Sequence, residues 1–246
     1  MRIVVISDTH SLHDQMTYNV EDFINPNGLN VLLHAGDCTN VGRESDVRDF
    51  INWFKNIQGF KHKIFIAGNH DLAFENEPKW LYQYIKPDLL IESNVTYLED
   101  ESIEIISEEF SRPIKIYGSP WQPEFFNWAF NLPRNGEVLK SRWGDIPNDT
   151  DILITHGPPH GIRDFVVDRS GTLQVGCELL RERVNTLKPL LHVFGHIHGA
   201  YGAAYIIETA FVNASICNER YEPINKPLVF DVNEVDGVFI VNFVEL

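Results

Sequence analysis

The side chains in this sequence that could do chemistry gather in five short motifs: Asp8-x-His10, Gly36-Asp37, Gly68-Asn69-His70-Asp71, His156-Gly157 and Gly195-His196-x-His198. Together they offer carboxylate, amide and imidazole donors. That mixture suits two divalent cations of the Mn2+, Fe or Zn2+ kind better than Mg2+. Two metals about 3.5–4 Å apart are a standard device for cleaving phosphate esters. Taken singly, each motif has a plainer reading. Asp8 could cap a turn, Gly36-Asp37 is a common turn, and Asn69 could sit in a left-handed conformation at a strand-to-helix junction. His156 alone could be structural, and His196 with His198 could be a satisfied pair. As a set they are harder to dismiss, because each motif follows its own apolar run and none lies in a helix-period stretch. Residues i and i+2 of an extended chain point to one side. Asp8 with His10, and His196 with His198, are therefore expected to converge at strand carboxyl ends, where open α/β sheets place their ligands.

The elements that must position these residues are legible as strand-like runs rich in Val, Ile, Leu and Phe. They cover Arg2–Ile6, Asn30–His34, Lys63–Ala67, Ile114–Tyr117, Asp151–Thr155, Leu190–Phe194, Ala204–Ile207, Phe211–Val212, Leu228–Val232 and Val238–Val244. In Ser45–Ile57 the apolar positions Val47, Phe50, Ile51, Phe54 and Ile57 form one helical face, with Ser45 as expected N-cap and Gly59 past the end. A second helix is expected from near Leu173 to just before Pro189, with Leu180, Val184 and Leu187 inward. The order βαβαβ followed by consecutive strands predicts a single α/β domain over 1–246, with a mixed sheet or two stacked sheets. The segment Ser119–Gly136 holds Trp121, Phe125, Phe126, Trp128 and Phe130 among prolines and reads as an ordered loop or lid.

Composition narrows the function classes. The 246 residues are 43% hydrophobic, enough for a sizeable core. The apolar runs are strand-length, short of the ~20 residues of a bilayer helix, so no membrane partner is expected. The three cysteines are an odd count without a CxxC pair, which argues against a disulfide framework or a thiolate zinc site. With no signal-like cleavage site after Ile6, a cytoplasmic setting is expected. The net charge of −15 repels a phosphate backbone, so bulk nucleic acid is not an expected partner.

The order of the motifs resembles the calcineurin-like metallophosphoesterase superfamily, and within it the metallophosphoesterase-domain-containing (MPPED) proteins. Carrying the likeness are Ile6-Ser7-Asp8-Thr9-His10, Gly118-Ser119-Pro120-Trp121, Phe130-Asn131-Leu132-Pro133-Arg134, Thr155-His156-Gly157-Pro158-Pro159, Arg163-Asp164 and His192-Val193-Phe194-Gly195. The resemblance implies a four-layer α-β-β-α sandwich with metals at the strand ends. It also implies that Asp8, His10 and His198 take one metal and Asn69, His156 and His196 the other. Asp37 would bridge them, and His70 would be the non-ligating catalytic histidine. The superfamily's protein phosphatases carry Asp and Arg soon after Gly-Asp. Here Asn40 and Val41 stand in those places, which weakens a protein-phosphatase reading and leaves the orientation of His70 to another group, with Asp71 a candidate if its side chain folds back.

Phosphoester hydrolysis also satisfies the charge arithmetic. Two divalent cations, less Asp8, Asp37 and a bridging hydroxide, leave about +1 to meet an anionic phosphate. Protonated His70 would donate to the leaving oxygen. A site near +1 without a clamp arginine favours a diester. Small nucleotide diesters, cyclic ones among them, are the expected substrates by resemblance. Arg134 and Arg163 could replace the clamp, and Trp121 in the aromatic segment could meet a base. The alternatives are a phosphomonoesterase or protein phosphatase, a nuclease, and a non-catalytic scaffold on the same fold.

Overall fold

In the computed structural model, which describes residues 1–80, 94–168 and 171–245, two six-stranded mixed sheets lie face to face. Numbering strands along the chain, β1 (Arg2–Ile6), β2 (Asn30–Ala35), β3 (His62–Ile66) and β4 (Val95–Tyr97) run parallel. β15 (Leu228–Val235) and β16 (Val238–Phe243) extend the β1 edge antiparallel. The second sheet has β6 (Ile114–Ser119), β9 (Ile152–Thr155), β12 (Leu191–Phe194) and β14 (Thr209–Asn213) parallel at its centre. β5 (Glu101–Ile105) and β13 (Gly202–Ile206) are its antiparallel edges. Within the aromatic segment, β7 (Gln122–Pro123) and β8 (Asn131–Leu132) make a short parallel pair of their own.

Strand alternation decides which layer each side chain enters. Ile3, Val5, Leu33 and Ile64 of the first sheet meet Ile116, Ile154, Val193 and Val212 of the second in one core. The intervening Val4, Ile6, Leu32 and Phe65 face outward and are covered by Val47, Phe50 and Phe54 of helix α1 (Glu44–Asn56). A short α2 (Leu72–Asn76) follows His70. On the far side α3 (Glu137–Gly144) and α4 (Glu178–Leu187) lay Leu139, Trp143, Leu180 and Val184 over Leu153, Phe194 and Phe211. Because both faces of the central strands are covered, those strands are apolar nearly throughout, and the four-layer α-β-β-α sandwich expected from the sequence is what the chain adopts.

Some local expectations fail for physical reasons. Ser45 is not the N-cap of α1. Arg43 holds that place with no side-chain cap, its carbonyl already accepting from Asp46 and Val47, and Ser45 Oγ turns to Asp46 instead. Leu173 belongs to a hairpin, β10 (Phe165–Asp168) against β11 (Gly171–Gln174), in which it pairs with Val166. Helix α4 starts only at Glu178, where Cys177 Sγ accepts the Leu180 N–H. β4, β5 and α3 escaped the sequence reading because short or edge elements bury too few residues to leave a period; β5 buries only Ile105.

In each sheet a central strand carries a buried histidine, His34 in the first sheet and His192 in the second. His192 Nε2–H donates to Thr155 Oγ1 at 2.9 Å, and that hydroxyl donates to the Gly157 carbonyl. Burial pushes the His192 imidazole down to about 3. A histidine neutral when folded and basic when unfolded makes the unfolded chain bind more protons between about pH 6.5 and 3. Its contribution is therefore whole above about pH 6.5 and falls by about 1.4 kcal/mol for each pH unit below it. Tm measured from about pH 7 to 4.5 is expected to drop less steeply in His192→Leu than in the wild type.

Candidate metal centre

The loops after β1, β2, β3, β9 and β12 meet at one end of the sandwich. They bring Asp8, His10 and His198 into one group and Asp37, His156 and His196 into another, ligand atoms within 4.8 Å of one another in each. Asn69 joins the second group, its Oδ1 2.9 Å from His156 Nε2. Asp37 lies between the groups, with Oδ2 3.3 Å from His156 Nε2 and 3.8 Å from His10 Nε2.

Backbone, not strand pleat, produces this convergence. Asp8, His10, Asp37 and His196 all have φ between 45° and 66°, the left-handed region that costs a non-glycine residue energy. The extended i, i+2 geometry expected for Asp8/His10 and His196/His198 is thus corrected. His198 starts a 3-10 turn, and the two final histidines enter different groups. The strain is held by hydrogen bonds. Asp8 Oδ2 accepts from the Ser7 and Ser215 hydroxyls and Oδ1 from the His196 N–H at 3.0 Å. Asp37 Oδ1 accepts from the His70 N–H at 2.8 Å.

Three observations fit these residues to cations. First, the Nδ1–H groups of His156 and His198 donate to the Ala35 and Asn218 carbonyls, at 2.9 and 3.0 Å. Each Nε2 then presents a lone pair, one toward Asn69 and Asp37 oxygens, the other 3.1 Å from His10 Nε2 and 3.3 Å from Asp8. Lone pairs and carboxylates aimed at one another call for positive charge between them. Where no cation lies between them, a proton on the inward nitrogen supplies that charge. Burial alone would lower the His156 imidazole, but Asp37 outweighs it and lifts His156 to about 9. Burial would raise Asp37, yet His156 holds it well below the usual carboxylate range. Second, the buried Asn69 turns its amide oxygen, the atom able to bind a cation, to within 2.9 Å of His156 Nε2. Third, no Cβ fits at Gly68 or Gly195: at Gly68 it would overlap the Asp37 carboxylate, and at Gly195 the Asp8 carboxylate.

His70 stands beside the two main groups without joining either, though it forms a third close group with His10 and Asp37. Its Nδ1–H donates to the Asn40 carbonyl at 2.7 Å. Asp71 does fold back, but its oxygens accept from the N–H groups of Gly68, Cys38 and Thr39 and from the Thr39 hydroxyl, stapling the two loops together. The group that orients His70 is therefore a main-chain oxygen at the position where the resemblance pointed to a missing carboxylate.

The centre opens into a cavity of about 470 Å³. Asp37, Asn69, His70, His196 and His198 line its floor, and Phe125, Pro158, Val166, Val175 and Tyr221 are among its walls. Arg134 also lines it, but its guanidinium is engaged by the Gly176 and Val175 carbonyls and by Glu178 at 2.7 Å. Arg163 and Trp121 lie outside the cavity wall. Arg163 binds the Tyr201 and Ala203 carbonyls. Trp121 donates to Asp100 at 2.8 Å beneath the Arg142 guanidinium. Both were expected at the substrate; each is instead drawn to oxygens that packing brings within its reach. The sequence reading missed Tyr221, which sits in a polar turn with no period, at φ 58°, its ring 4.8 Å from His10 and 5.1 Å from His198.

A sandwich with a two-group His/Asp centre at the strand ends defines a metallophosphoesterase. The chain belongs to the calcineurin-like phosphoesterase family, whose sequence pattern matches residues 1–200. Metallophosphoesterase domain-containing protein 1 of Homo sapiens, and that of Mus musculus, is 42% identical to it over 94% of this chain and 71% of the relative. Among solved structures, the phosphopantetheinyl hydrolase of Mycobacterium tuberculosis has the same fold. Its TM-score is 0.53 at 18% identity, with 89% of this chain and 90% of that chain covered. The protein TT1561 of Thermus thermophilus also has the fold, with a TM-score of 0.58 at 14% identity over 86% of this chain and 88% of that one. No helix among the described residues is long and apolar enough to cross a membrane.

Proposed function

We propose that the chain is a phosphodiesterase for small, singly charged diesters, with nucleotide diesters, cyclic ones included, the leading class. Asp8, His10 and His198 would hold one divalent cation and Asn69, His156 and His196 the other, with Asp37 shared; Mn2+, Fe and Zn2+ all suit this donor set. Such cations, when bound, supply Lewis acidity at the phosphoryl oxygens and a water acidic enough to attack at neutral pH. The chain's own residues do the rest. Asn40 draws the Nδ1–H of His70 to itself, so Nε2 is the nitrogen left to pass a proton to the leaving oxygen. Phe125, Val166, Val175 and Tyr221 offer the leaving or retained ester group an apolar wall, where an aromatic face is worth about 1–3 kcal/mol to a base.

The observation that carries the diester reading is the cavity's charge. Its wall includes Glu124 and Glu219, and the arginine among its lining residues, Arg134, is committed to Glu178 and two carbonyls. Among the described residues a dianionic monoester finds no free guanidinium there, whereas a monoanionic diester needs none. With Mn2+, kcat/KM for bis-p-nitrophenyl phosphate is expected to exceed that for p-nitrophenyl phosphate by at least about tenfold, the equivalent of one 1.4 kcal/mol increment. A monoester preference would overturn the reading, and a panel of 2′,3′- and 3′,5′-cyclic nucleotides would then rank the diesters.

A further inference from the structure

The aromatic segment after β6 does not lie over the cavity as one lid. Phe125 reaches its wall, but Trp128 goes behind it: its ring lies flat on His70, centroids 4.0 Å apart and planes 26° from parallel, and Trp128 does not line the cavity. Its place there is built by the backbone. Ala129 N–H donates to the Asn69 carbonyl at 3.0 Å and Phe130 N–H to Glu75 at 2.9 Å, tying the loop to the segment that carries His70. The Asn131 side chain takes the Phe125 N–H and gives its own N–H groups to the Phe125 and Phe126 carbonyls. These bonds close the turn in which Phe126 and Phe130 have φ of 50° and 56°.

We infer that Trp128 is a positioning residue that holds His70 in its proton-donating orientation; the inference rests on the acid role proposed for His70. A ring held only by the Nδ1–H bond to Asn40 can still swing about that bond. The Trp128 face limits the swing, and the His10 ring, 4.7 Å away at 84° to His70, limits it further. Nε2 is then confined to a narrower range of directions. Positioning of this kind matters because a misplacement of about 1 Å can cost 10²-fold in rate.

The test is the dependence of kcat on the leaving group, in the metal-loaded protein, with aryl methyl phosphates whose leaving phenols run from p-nitrophenol to phenol. p-Nitrophenolate leaves without a proton and phenolate is helped by one, so only acid catalysis makes the two respond differently. Trp128→Ala and Trp128→Leu are expected to lower kcat about 10–100-fold for the phenyl ester, part of the 10²–10⁴ typical of a general acid. For the p-nitrophenyl ester the same variants should change kcat less than about threefold, with KM and metal content unchanged. Trp128→Phe, which keeps a flat face, is expected to restore most of the rate. Phe126→Ala, exposed in the same loop, should match the wild type. Equal losses for both esters, or loss of metal, would overturn the inference in favour of a purely structural loop. A raised KM with kcat kept would overturn it in favour of a substrate platform. His70→Asn is run beside these: if it shows the leaving-group effect and the Trp128 variants do not, the positioning role falls while the acid role stands. If His70→Asn lacks the effect too, the acid role falls first.

Discussion

His70→Asn is expected to lose turnover by about 10²–10⁴-fold while retaining metal. The physical reason is the separation of its contacts from the ligand groups. The His70 side chain is held by the Asn40 carbonyl and the Trp128 face. Its hydrogen bond to a ligand residue's carboxylate is a main-chain one, the N–H to Asp37 Oδ1, which asparagine keeps. Metal content by elemental analysis, with kcat on a diester whose leaving group needs a proton, such as phenyl methyl phosphate, checks both halves. Depletion of metal in His70→Asn would return His70 to the ligand set, where it forms a third close group with His10 and Asp37.

Asp37→Ala should do the opposite and fail at both positions together. Its carboxylate lies between the two groups, with Oδ2 3.3 Å from His156 Nε2 in one and 3.8 Å from His10 Nε2 in the other. Losing it removes the negative charge that stands between the two cation positions, and frees the His70 N–H that its Oδ1 receives. The expected loss of affinity exceeds the about 10–100-fold typical of removing a partner outside the ligand set. Titration with Mn2+ should show neither equivalent retained at concentrations that saturate the wild type. Retention of one tight equivalent would show that the groups fill independently and that Asp37 serves only one of them. The two variants make a contrast, chemistry lost with metal kept against metal lost with chemistry following.

The architecture was legible because burial on both sides writes long apolar runs into β1, β2, β3, β9 and β12, and the donors follow those runs directly. The strand ends that Asp8, His10, Asp37, Asn69, His70, His156, His196 and His198 follow, and the α1 face, were therefore determined by residue type and period, while the roles expected of those residues came from the family resemblance. Three things were decided only in three dimensions. The donor side chains converge through left-handed backbone at Asp8, His10, Asp37 and His196, a conformation that no pattern of apolar residues records and that hydrogen bonds from Ser7, Ser215 and neighbouring N–H groups hold in place. The fate of each arginine was decided by which carbonyls lay within reach: Arg134 and Arg163 carry the right charge for phosphate, and tertiary packing turned both toward main-chain oxygens. The setting of His70 came from a main-chain oxygen and an aromatic face brought from residues 40 and 128. A carbonyl is present at every residue and a tryptophan is apolar wherever it falls. Sequence can announce which groups are able to bind and react, but long-range packing alone selects which oxygens and rings surround them.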